Sequence, residues 1–248
     1  MLLGEKMAQG GDFLFRWRSY ILLAFAPLLL MTFSEGEAVE KLLGEPVEDV
    51  YDMLCIAMVV SGLVVRAVTV GFVPAGTSGR NTTGQIASQL NVTGIYSVTR
   101  NPLYLGNCIT YLGIFLYAQN FYLAFALTLF LVIYYERIIL AEEAFLAERF
   151  GDEYMRWAKD VPVFWPRFSG WTRPALPFSL RSVLRREYSG WFAAVLCLYI
   201  IETGLEVVGE GEGWFEPGWL VALGVAAAAY LLLRTAKKKT SLLDVDGR

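Results

Sequence analysis

Val50-Tyr-Asp-Met-Leu-Cys-Ile-Ala-Met-Val-Val-Ser-Gly-Leu-Val-Val-Arg-Ala-Val-Thr-Val-Gly-Phe72 is a nearly unbroken apolar run in which only Asp52 and Arg66 carry charge. A hydrocarbon layer of roughly 30 Å takes roughly 17–25 helical residues to cross, so this run reads as a spanning helix. The chain around it has 248 residues, 56% of them hydrophobic and 18% charged. That apolar share exceeds the ~45–50% usual for soluble domains and argues against a soluble protein.

Outward from this run, further apolar blocks cover Trp17 to Phe33, Leu103 to Tyr117, Phe121 to Tyr135, Tyr188 to Val208 and Trp219 to Leu233. Blocks of this kind, unlike dispersed amphipathic patterns, predict spanning helices. The expected fold is all-α, a polytopic transmembrane bundle of about six spans. The third and fourth blocks are short and predict a tight hairpin about Ala118-Gln119-Asn120. Three parts follow: residues 1–72 with two helices, a central core 73–177, and residues 178–248 with two more helices and a basic tail.

Lys and Arg accumulate in cytoplasmic segments of membrane proteins. Lys6, Arg16 and Arg18 precede the first block, Arg80 and Arg100 lie between the second and third, and a dense set from Arg137 to Arg186 follows the fourth. Lys237, Lys238 and Lys239 end the sixth, while the alternate connections are rich in Glu. Both termini are therefore expected in the cytoplasm, in a multi-pass protein of the cytoplasmic membrane of a prokaryote. A cleaved signal peptide competes for the first block, but no A-x-A-like site follows Phe33.

Cys55, Cys108 and Cys197 lie far apart inside apolar blocks, and the chain has no histidine. No metal site is expected, and Ser-His or Cys-His catalysis is excluded. The net charge of −3 gives no sign of a nucleic-acid partner.

Pro74 to Pro102 reads as a long polar loop of the kind that binds or covers a site. Its Asn81-Thr-Thr and Asn91-Val-Thr match the glycosylation pattern but are expected to face the cytoplasm. Arg137 to Phe150 is expected as a helix leaving the membrane, stopped at Gly151. Val161 to Pro177 carries several prolines and tryptophans and is read as irregular interfacial chain.

Asn101-Pro102 reads as the cap and first residue of a helix, which places Arg100 beside a helix N-terminus suited to an anionic group. Tyr104 and Gly106 follow in the first turns. Glu142 and Glu143 are either a functional pair facing the bundle or a solvated helix face. Arg66, within a span, is a candidate for a catalytic role in holding an anionic group or for a buried pair with a carboxylate. Arg137 either joins it or snorkels to the interface. Glu202 and Glu206, four apart, are expected to form an outward-facing polar stripe.

Gly94-Ile-Tyr96, Arg100-Asn-Pro-Leu-Tyr-Leu-Gly106, the hairpin, Arg137-Ile-Ile-Leu-Ala-Glu-Glu143, Phe150-Gly-Asp-Glu-Tyr154 and Val161-Pro162 together resemble the isoprenylcysteine carboxyl methyltransferase family and its phospholipid methyltransferase relatives. The similarity covers about Gly76 to Pro166. It implies an S-adenosylmethionine-dependent membrane methyltransferase whose acceptor is a lipid or prenylated molecule reached from the bilayer. It further implies that Gly94, Tyr96, Arg100, Asn101, Pro102, Tyr104, Gly106, Glu142 and Glu143 line the cofactor site. Asn101 stands where the family usually has histidine, and Asn cannot titrate. A carboxylate or phosphate acceptor needs no base, so lack of histidine leans toward an anionic head group over a phospholipid amine. Membrane sterol reductases using NADPH share this architecture, and a non-enzymatic scaffold would keep the same helices.

Overall fold

In a computed structural model, residues 10–11, 13–17, 25–35, 37–74, 77, 87–210 and 216–248 are described. Lys6, Arg18, Arg80, Asn81, residues 18–24 of the first apolar block and part of the long loop lie outside these residues. The described chain is helical: α1 (Ala26–Thr32), α2 (Ala38–Leu43), α3 (Glu45–Phe72), α4 (Pro102–Tyr117), α5 (Phe121–Phe150), α6 (Asp152–Asp160), α7 (Leu180–Gly204) and α8 (Pro217–Lys239).

Among the described residues, four helices are long and apolar enough to cross a membrane: α3, α5, α7 continued to Val208, and α8. This is fewer than the six spans expected. The hairpin helix α4 has only 16 residues, and residues 18–24 of the first block fall outside the described part. The fourth block differs in another way, because the expected span and the cytoplasmic helix after it form one 30-residue rod, α5. No glycine or proline interrupts Phe121–Phe150, so nothing breaks the backbone hydrogen bonds where hydrophobicity fades. Gly151, at φ +51°, ends the rod and α6 starts at once.

Burial follows the helical period along α5: Ala124, Leu127, Leu131, Tyr134, Ile138 and Ala141 face the core at spacings of three and four. All but Ala141 share one core cluster with Val59, Ile114, Leu198 and Ile201 from α3, α4 and α7. The tightest contact is between α3 and α4. A Cβ on Gly106 would lie 2.7 Å from Arg66 Cγ and 2.8 Å from the Gly62 carbonyl, and one on Gly62 would lie 2.4 Å from Thr110 Oγ1. Small residues thus let the two backbones touch, the usual way helices associate in lipid.

The expected hairpin at 118–120 is present. Gln119 adopts φ +54°, and its side chain accepts from Val39 N at 2.8 Å and donates to Glu48 Oε1 at 2.6 Å. Asn120 Oδ1 then caps α5 by accepting from Leu123 N. Glu202 departs from expectation: it accepts the Tyr117 hydroxyl between helices, so it faces the bundle and not an outward stripe. A carboxylate at this depth is satisfied more readily by a phenol than by lipid.

Candidate active site

Helix α4 opens at Pro102, whose missing N–H costs nothing at a first helical position. Asn101 occupies the cap position but makes no side-chain cap bond. Its Nδ2 instead donates to the Val163 carbonyl at 2.9 Å. This belongs to a longer seam between 93–101 and 162–175. Arg100 N donates to Pro162 O, Thr99 Oγ1 to Phe164 O, and Arg167 N to Val98 O, each at 2.9 Å. Trp157 Nε1 adds a bond to the Tyr96 carbonyl. The irregular proline-rich segment is thus the wall of the loop before α4.

Gly94 takes φ +61°, donates to Thr172 O and accepts from Ser97. A Cβ there would press on Pro174 at 3.2 Å. The glycine is therefore used by the seam's tight backbone turn.

Across the hairpin, α5 brings its carboxylates back to the start of α4. Tyr104 Oη donates to Glu142 Oε2 at 2.9 Å. Arg100 Nη1 lies 3.1 Å from Glu143 Oε1. The rings of Tyr104 and Tyr135 lie 5.2 Å apart beneath this pair. Four residues distant in sequence thus form one polar site: Arg100, Tyr104, Glu142 and Glu143.

Tyr154, 3% exposed on α6, stands beside Arg100 and Glu143. Burial, reinforced by the Glu143 charge and opposed by Arg100, pushes its phenol up to about 12. Arg100 Nε and Arg137 Nε are buried without a hydrogen-bond partner among the described residues, while Glu143 Oε1 and Tyr154 Oη lie against Arg100 and each other. Buried polar atoms left unbonded are expensive, and such atoms mark where a ligand's polar groups fit.

The other expected site residues are placed differently. Gly106 is filled by its contact with α3, as described above. Arg66 takes the buried-pair alternative: its Nε and Nη2 donate to the two oxygens of Glu187 at 2.8 and 3.0 Å, and Nη1 donates to Asn107 Oδ1. Arg137 is half-buried on α5. Sequence reasoning gave no role to Tyr154, Asn107 or Glu187. Glu187 had one visible signal, an acidic residue among Arg181, Arg185 and Arg186.

Fold and site together define a polytopic α-helical membrane protein with a polar site built on the α4–α5 hairpin. The phospholipid methyltransferase family model matches residues 53–153, the stretch from α3 to the start of α6. The nickel-cobalt-cadmium resistance protein NccN of Alcaligenes xylosoxydans xylosoxydans is 33% identical over 86 residues, 35% of this chain and 40% of its own length. The cobalt-zinc-cadmium resistance protein CzcN of Cupriavidus metallidurans is 33% identical over 86 residues, 35% of this chain and 39% of its own. The protein-S-isoprenylcysteine O-methyltransferase of Schizosaccharomyces pombe is 38% identical over 69 residues, 28% of this chain and 29% of its own. The chain therefore spans two fifths or less of the length of these relatives. No solved structure matches.

Proposed function

We propose that the protein transfers a methyl group from S-adenosylmethionine to the anionic head group of a lipid or prenylated acceptor at the cytoplasmic face of the membrane. The observation that carries this reading is the hydrogen bond from Tyr104 to Glu142, which with the Arg100–Glu143 ion pair joins the two halves of the family's sequence pattern.

The residues suit the donor's chemistry. Glu142 and Glu143 offer acceptors for ribose hydroxyls or an ammonium, and Arg100 beside the α4 N-terminus offers a cation and free amides to a carboxylate. The unbonded Arg100 Nε is an atom such a ligand would satisfy. S-adenosylmethionine supplies an electrophilic methyl group on a sulfonium. The chain's task is alignment of the acceptor with that carbon and exclusion of competing water, which needs no general base when the acceptor is an anion. Arg66 is neutralised by Glu187, so the lean toward an anion rests on the lack of histidine and on Arg137, whose Nε is buried and unbonded.

A phospholipid amine is the second reading, supported by the name of the matching family. Calorimetry on detergent-purified protein should detect S-adenosylmethionine binding, strongly weakened by Arg100→Ala and Glu142→Ala. Undiminished binding in both variants would overturn the site. Mass spectrometry of co-purified lipids after incubation with isotope-labelled donor separates acid from amine acceptors.

A further inference from the structure

The family match ends at residue 153, yet the most buried carboxylate in the helices beyond it points back into the matched region. Glu187 on α7 is 2% exposed and grips Arg66 of α3 through both oxygens. Arg66 in turn touches the first turns of α4 twice. Its Nη1 bonds Asn107, and its Cγ fills the space above Gly106. Asn107 also reaches toward the Tyr135 hydroxyl, and the Tyr135 ring lies 5.2 Å from Tyr104, the residue that bonds Glu142. A continuous chain of contacts thus runs from α7 to the site.

We propose that Glu187 is a positioning residue for methyl transfer, acting through Arg66 to set where α4 presents Tyr104 and Arg100. This rests on the function proposed above. An arginine in a span must be neutralised, and a two-point carboxylate fork fixes its plane as well as its charge. Because Arg66 packs directly on Gly106, fixing that plane fixes the register of α4 against α3. The helices outside the matched region are then part of the catalytic unit, since they supply the partner that α3 and α4 lack.

Single substitutions that leave one charge buried can unfold the protein, but replacing both members of a buried pair with apolar residues is commonly tolerated. The decisive variant is therefore the double Arg66→Met/Glu187→Leu, with Glu187→Asp as the charge-preserving control. The double variant should melt near the wild type in detergent, yet lose about 100-fold in kcat, the cost of roughly 1 Å of misplacement. Its donor Kd should rise about tenfold, and the Glu187→Asp control should keep much of the wild-type activity. A folded double variant with wild-type kcat and donor Kd overturns the inference alone. A wild-type protein that binds no S-adenosylmethionine overturns the proposed function and this inference with it.

Discussion

Tyr104 Oη and Glu142 Oε2 meet at 2.9 Å across the α4–α5 hairpin, a contact between residues 38 apart in sequence. A hydrogen bond to a charged partner contributes about 1.5–3 kcal/mol. Because the bond lies within the protein, Tyr104→Phe should lower stability by up to that amount and, by loosening Glu142, weaken S-adenosylmethionine binding by about tenfold. Calorimetry alongside a thermal melt checks this. Wild-type affinity in a folded Tyr104→Phe protein would remove Tyr104 from the site.

Arg100 is tied to the wall by its backbone and to Glu143 by its side chain. Lysine keeps the charge but not the planar fork, so Arg100→Lys should fall between wild type and Arg100→Ala in donor affinity. Equal losses in the two variants would mean that geometry, not charge, dominates.

Gly106 has no room for a methyl group, with Arg66 Cγ at 2.7 Å and the Gly62 carbonyl at 2.8 Å from an added Cβ. Gly106→Ala should destabilise the protein by about 1–3 kcal/mol, the usual cost of overpacking. A lowered melting midpoint in detergent is the readout.

Gln119 combines a left-handed backbone with two buried side-chain bonds. Gln119→Ala and Gln119→Gly both lose the bonds, but glycine also releases a backbone cost of about 1–2 kcal/mol. The alanine variant should therefore be the less stable by about that amount. Equal stabilities would place the strain elsewhere.

Tyr154 has its phenol pushed up to about 12 from the ordinary 10, by burial first and by Glu143 second. The neutral form is favoured in the folded state, so its contribution is complete below pH 10 and is lost as pH rises through about 12. In an ultraviolet titration, Tyr154→Phe should remove a late-ionising phenol and leave the absorbance change below pH 10 unaltered.

Much of this was legible in the sequence. The apolar run 50–72, the proline at 102, the turn at 118–120 and the stop at Gly151 each follow from local rules of hydropathy and backbone geometry. The motif residues Arg100, Tyr104, Glu142 and Glu143 could be named because they match the pattern of the family the sequence resembles; their local chemistry alone left a capped hairpin and a solvated helix face open. The long rod α5 was not legible as one helix, because hydropathy falls near Tyr135 while helix propensity does not.

Asn101 looked like a helix cap and instead bonds Val163, Gly106 packs against Arg66, and Glu202 looked exposed and instead meets Tyr117. In each case the residue type announced a polar or close contact but not its partner, which was supplied by a distant part of the chain. Hydropathy, capping and turn chemistry are local, so the sequence by itself determined the helices and the ends that carry the site. Pairing of buried charges is decided by which helices pack together, so only the tertiary structure could assign Arg66 to Glu187 and bring Tyr154 to the Arg100–Glu143 pair.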